Sequence, residues 1–78
     1  MANVTVYTSA GCHLCQRALE VIREVQPELG FELELVDIDG DPALEAAYRE
    51  DLPVVEIDGE RAFRYFVDPE ALRRRLSP

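Results

Sequence analysis

Val4-Thr5-Val6-Tyr7-Thr8 is a run of β-branched and aromatic residues able to face either side of a sheet, and it reads as a central strand. After Ser9-Ala10-Gly11, which reads as a turn, the period changes. Leu14, Ala18, Val21, Ile22 and Val25 recur at the spacing of one helical face, while Arg17, Glu20, Arg23 and Glu24 take the other positions. Pro27 and Gly30 are expected to close that helix. Phe31, Leu33 and Leu35 then alternate with Glu32 and Glu34, the pattern of a half-exposed strand at a sheet edge, where charge discourages unwanted pairing.

The second half repeats the alternation in shorter pieces. Asp39-Gly40 turns the chain, and Asp41-Pro42 offers an N-cap followed by proline at the first helical position. Leu44, Ala47 and Tyr48 supply the apolar stripe of a short second helix. Leu52-Pro53-Val54-Val55-Glu56-Ile57 opens a third strand, and Asp58-Gly59 is a two-residue hairpin signal leading into a fourth, from Arg61 to Tyr65. Asp68-Pro69 repeats the cap-and-proline device ahead of a helix anchored by Leu72 and Leu76, with Arg73-Arg74-Arg75 on its solvated face. The order is βαβαββα, an α/β chain with a four-stranded mixed sheet flanked by helices.

Length confines this pattern to one unit. A chain of 78 residues (1–78) makes a single domain, burying only about 60–65% of the surface its unfolded form exposes. Sixteen acidic residues against eight basic ones, all arginine, give a net charge of −8, which repels phosphate backbones and anionic lipid and so excludes nucleic acid and membrane as partners. Met1-Ala2-Asn3 carries no basic leader segment and no apolar run approaches the ~18 residues of a membrane span, so a cytoplasmic location is the default.

That compartment changes how the only two cysteines are read. Cys12 and Cys15, separated by His13-Leu14, stand where the strand pattern gives way to the helix pattern. In a reducing compartment this spacing points to redox or metal chemistry rather than a structural staple. Zinc requires about four ligands, and the chain offers two cysteines and one histidine. A c-type haem signature fails because Gln16 follows Cys15. At a helix N-terminus the Cys12 thiolate would be favoured by free N–H groups and the helix dipole, with His13 beside it as a tuning group, and such thiols fall from about 8.5 toward 7 or below.

Together, Val4 through Cys15, Leu52-Pro53-Val54-Val55 and Ile57-Asp58-Gly59 resemble the glutaredoxin branch of the thioredoxin superfamily, in order and spacing over nearly the whole chain. The resemblance implies a thioredoxin-like fold and a thiol–disulfide oxidoreductase acting on protein or small-molecule disulfides. In it, Cys12 is the exposed nucleophile and Cys15 the more buried resolving thiol. It also implies a cis Leu52-Pro53 peptide facing the disulfide, with the Leu52 backbone pairing to an extended substrate. Arg64 is a candidate receiver of a substrate carboxylate, or a surface strand residue paired to an acid. The chain departs from the family where Phe63-Arg64-Tyr65 replaces the usual Gly-Gly, where Ser9-Ala10-Gly11 lacks a basic residue, and where His13-Leu14 replaces Pro-Tyr. Glutathione and a thioredoxin reductase are both candidate electron donors. No resident cofactor or metal is expected, and a monomer is. The competing readings are a redox sensor or binding module without turnover, and an iron–sulfur carrier acting as a dimer.

Overall fold

The computed structural model describes residues 2–77. Its elements run β1 (Asn3–Thr8), α1 (His13–Leu29), β2 (Glu32–Asp37), α2 (Pro42–Tyr48), a 3-10 turn (Arg49–Asp51), β3 (Val54–Ile57), β4 (Glu60–Arg64) and α3 (Pro69–Leu76). The sheet order is β2-β1-β3-β4, with β1 parallel to β2 and antiparallel to β3, and β3 antiparallel to β4. The βαβαββα order and the mixed sheet expected from the pattern are therefore present.

Alternation decides which face each side chain takes. Val4 and Val6 of β1, with Val55 and Ile57 of β3, turn to one face and pack with Ala18, Ile22 and Val25 of α1, Phe31, Val67, and Leu72 of α3. Tyr7 and Glu56 turn to the other face, where Tyr48 of α2 stacks on Tyr7 with ring centroids 4.0 Å apart. Both Asp58 (φ 51°) and Gly59 (φ 88°) adopt the left-handed backbone that the hairpin turn requires. The Asp41 carboxylate accepts the Ala43 and Leu44 N–H groups, and that of Asp68 accepts the Ala71 N–H, so both aspartates cap as expected.

Four local expectations are corrected. Pro27 does not end α1, which continues to Leu29; proline's fixed φ is itself helical, and only one backbone hydrogen bond is lost. Gly30 alone stops the helix, in the left-handed conformation, donating its N–H to the Gln26 carbonyl at 2.7 Å. Ala47 is exposed, and α2 presents Leu44 and Tyr48 half-buried instead, because so short a helix reaches the sheet through one turn of side chains. The fourth strand ends at Arg64, and Tyr65 (φ 66°) turns the chain out of it.

Arg73 is the fourth. It is not a solvated member of an arginine run but clamps α3 to α1, donating from Nε and Nη2 to the two Glu28 carboxylate oxygens at 2.9 and 3.1 Å. A bidentate pair of this kind fixes direction as well as distance. Its guanidinium holds the Glu28 carboxyl below the usual range. Arg74 and Arg75 are exposed, as expected. The edge position of β2 is also as expected, and on that outermost strand Leu35 stays 46% exposed. No helix among the described residues is long and apolar enough to cross a membrane.

Candidate active site at the start of the first helix

The loop from β1 to α1 is closed by short bonds. Gly11 (φ 78°) makes the turn, Cys12 N–H donates to the Ser9 carbonyl at 3.3 Å, and Ala10 N–H donates to Asp39 Oδ2 at 2.9 Å. Cys12 is then the N-cap of α1, with extended backbone (φ −82°, ψ 104°) and its Sγ accepting the Cys15 N–H at 3.2 Å. A sulfur at this position meets one of the free N–H groups of the first turn and the positive end of the helix dipole. No acidic side chain lies in that turn to oppose it.

Cys12 and Cys15 are joined as a disulfide, with Cα atoms 5.2 Å apart. Cys12 is half-buried, whereas Cys15 is only 2% exposed. The difference follows from helical geometry: position 15 is on the face shared with Ala18, Ile22 and Val25, and position 12 is at the helix tip. His13 opens the helix and is exposed. Among the described residues, no three His, Cys, Asp or Glu side chains converge as metal ligands.

The Leu52-Pro53 peptide is cis, as the resemblance implied. The register pairs Tyr7 with Val54, so Pro53 comes next to Thr8, at the end of β1 that launches the cysteine loop. Pro53 is buried and Leu52 half-buried. Arg64, at the end of β4, places Nη1 3.5 Å from Asp51 Oδ1 and its guanidinium 5.3 Å from the Tyr65 ring centre. It is exposed and already has an acidic partner.

Three features escaped the sequence. The first is Tyr65 itself, a bulky residue in the left-handed backbone region, a conformation that costs an L-residue about 1–2 kcal/mol. It is held there by its N–H to the Pro53 carbonyl (3.0 Å) and by the Phe66 N–H closing a tight turn onto the Arg64 carbonyl (2.7 Å). Its hydroxyl is 3.2 Å from both the Glu50 carbonyl and Asp51 Oδ1. The second is Asp51, which meets Arg61 (3.3 Å), Arg64 and Tyr65 immediately before the cis peptide. Paired aromatics between a strand and a helix cap were the available signal for Tyr65-Phe66. Asp51 carried none, being one acid of sixteen.

The third is a polar cluster on the far face, where the Tyr7 and Tyr48 hydroxyls donate to the two Glu56 oxygens at 3.2 and 3.0 Å and the Arg61 guanidinium covers Tyr48 at 4.8 Å. The neighbouring Tyr48 hydroxyl, burial and the Glu56 charge hold the Tyr7 phenol far above its ordinary value. Tyr7 thus remains protonated, as the donor to Glu56.

Asp39 links acidity to the cysteine loop. The Ala10 N–H and the Arg49 guanidinium (2.9 Å) hold its carboxyl below the usual carboxylate range. A depressed folded-state value means that this tie is intact above the unfolded value of about 3.9 and is lost as pH falls through the lower folded one. The Ala10 amide resonance should titrate with a midpoint below about 3.9, and Arg49→Gln should move that midpoint upward. An Ala10 midpoint at or above the ordinary value, measured by two-dimensional NMR, would contradict this tie.

Comparison with known proteins agrees with this geometry. The sequence model of the glutaredoxin-like domain matches residues 3–77. The uncharacterized protein Rv0508 of Mycobacterium tuberculosis is 39% identical over 80 residues, spanning 96% of this chain and 82% of that one. The solution structure of protein Ne2328 from Nitrosomonas europaea superposes with a TM-score of 0.83 at 32% identity, covering 97% of this chain and 92% of that chain. A thioredoxin-2 from a malaria parasite shares the fold, with a TM-score of 0.75 at 20% identity over 96% of this chain and 80% of its own.

Proposed function

The chain belongs to the glutaredoxin-like domain family, and from that premise we propose that it is a dithiol–disulfide oxidoreductase in which Cys12 attacks and Cys15 resolves. The observation that carries this reading is the Cys15 N–H directed at Cys12 Sγ at the tip of α1, in a pair already joined as a disulfide. The same N–H and the helix dipole stabilise a thiolate there once the bond is reduced.

The exchange runs in two steps. The Cys12 thiolate attacks one sulfur of the substrate disulfide, forming an intermolecular disulfide and releasing the other sulfur as a thiolate, which takes a proton from solvent. The Cys15 thiol loses its proton and attacks Cys12 Sγ, closing the Cys12–Cys15 bond and releasing the second substrate thiol. Two electrons pass from the dithiol to the substrate, and an external dithiol or two glutathione molecules restore the reduced pair. His13 beside Cys12 adds positive charge near the thiolate when protonated. The Leu52 main chain, next to Pro53, is the segment along which an extended substrate would lie. Arg64 is less suited to receive a substrate carboxylate, since Asp51 already pairs with it.

The reading predicts turnover. Substoichiometric protein should reduce bis(2-hydroxyethyl) disulfide over many cycles with dithiothreitol as donor. Parallel assays with glutathione and its reductase, and with a thioredoxin reductase, would identify the electron source. A single stoichiometric oxidation without cycling, with every donor, would refute the catalytic role.

A further inference from the structure

Leu14, between the two cysteines, begins a groove of about 170 Å³ that runs along α1 to Val21 and is walled on its other side by Tyr65, Phe66 and Val67. Tyr65 and Phe66, 36% and 71% exposed, are two of the three large apolar side chains left uncovered among the described residues. The exchange chemistry makes no use of them. Exposed apolar groups gathered at one place, rather than scattered, mark a binding surface.

We propose that this groove, which starts at Leu14 between the two cysteines, is a side-chain subsite, and that it receives a polypeptide substrate carrying a bulky aliphatic residue with a carboxylate beside it, close to the cysteine to be reduced. The proposal rests on the oxidoreductase reading for the word substrate, but the groove's occupant is fixed by three separate features. Size is the first. Small-molecule sites run from about 300 to 1,000 Å³, so 170 Å³ suits one side chain and not a whole metabolite.

Pre-organisation is the second. Tyr65 is bound through its N–H to Pro53 and through its hydroxyl to Glu50 or Asp51, so the wall stands without a ligand and seating a side chain orders little. A left-handed backbone at a tyrosine, kept in place by that many bonds, is the kind of local cost that marks a working site. Charge is the third. The chain carries −8 overall, yet the rim here is Arg17, which forms no ion pair among the described residues. The first turn of α1 has no acid, and the Asp68 carboxylate next to Val67 is engaged by the Ala71 N–H. A carboxylate on the ligand is therefore complementary to this rim.

Short peptides with one cysteine, each as the mixed disulfide with thionitrobenzoate, test this with the fully reduced chain in single turnover. The pair Leu-Glu is placed at each of three positions on either side of the cysteine and compared with Ala-Glu and Leu-Lys at the same place. At one placement at least, Leu-Glu should react about tenfold faster than Ala-Glu. Leu-Lys should be slower than Leu-Glu by about threefold at low salt, a difference that Arg17→Gln removes. Phe66→Ser and Val21→Asp should each bring the Leu-Glu to Ala-Glu ratio close to 1.

Equal rates for Leu-Glu and Ala-Glu at every placement, or a ratio that survives both variants, would overturn the subsite. A second arm needs no thiol chemistry. Oxidised protein is titrated with the best peptide carrying serine in place of cysteine, and the amide shifts should move at Leu14, Val21 and Phe66 and not with the Ala-Glu peptide. Shifts without thionitrobenzoate release from any peptide would leave the groove standing and remove the oxidoreductase reading. Release at equal rates, with no selective shifts, would do the reverse.

Discussion

Cys12→Ser should lower the turnover of any disulfide substrate by about 10³-fold or more, the scale on which loss of a nucleophile acts. Cys15→Ser should retain the first attack and stop at the mixed disulfide, visible by mass spectrometry as one substrate thiol bound per chain. The asymmetry comes from position. Cys12 sits at the helix tip with its sulfur facing an N–H donor and solvent, while Cys15 is buried one turn in and reaches only Cys12. A serine hydroxyl at position 12 stays protonated at neutral pH and cannot attack sulfur, whereas in the proposed mechanism position 15 serves only to release a bound intermediate. Equal adduct formation at Cys15 in the Cys12→Ser variant would reverse the assignment.

Ile22→Ala should be among the most damaging single changes to the fold. Ile22 is fully buried where α1 crosses the sheet, packed in the cluster with Val4, Val6, Val55 and Leu72. Truncating a buried isoleucine removes its transfer free energy and leaves a cavity, together about 2–5 kcal/mol. Small domains have about 5–15 kcal/mol in all, so the loss takes a large share. For a chain of this length each kcal/mol moves the thermal midpoint by about 4–8 °C, and a fall of at least ~10 °C is expected by calorimetry or circular dichroism. A shift of a degree or two would show that α1 is not packed as described. The same helix presents Cys12, so a loosened α1 should also blunt exchange.

Much of this was readable along the chain because it depends on local rules. The β-branched and aromatic run Val4–Thr8 and the period of 3.6 from Leu14 to Val25 placed β1 and α1. Asp41-Pro42 and Asp68-Pro69 marked two helix starts, and Asp58-Gly59 marked the hairpin. The cysteine pair at the β1–α1 junction narrowed the chemistry to redox or metal, and its place after β1 together with Leu52-Pro53 carried the glutaredoxin resemblance. Where reading failed, a local rule met a competing one. Pro27 and Gly30 both read as closing α1, but proline's φ fits a helix and the cost is one hydrogen bond, so the stop falls at Gly30. Arg73 looked like one of three solvated arginines, and only the crossing of α3 over α1 brings Glu28 to it from 45 residues away.

The sequence by itself determined the order of strands and helices, the caps, the hairpin and the pairing of two thiols at a helix start, since each is set by neighbours a few residues apart. Tertiary structure alone decided that Asp39 would tie down the cysteine loop. It also decided that Asp51 and Pro53 would hold Tyr65 in a left-handed turn, with Phe66, against the helix that carries the cysteines. These contacts join residues far apart along the chain, as Ala10 and Asp39 are. Their partners are ordinary acids, amides and aromatics, which carry no signal until packing brings them together.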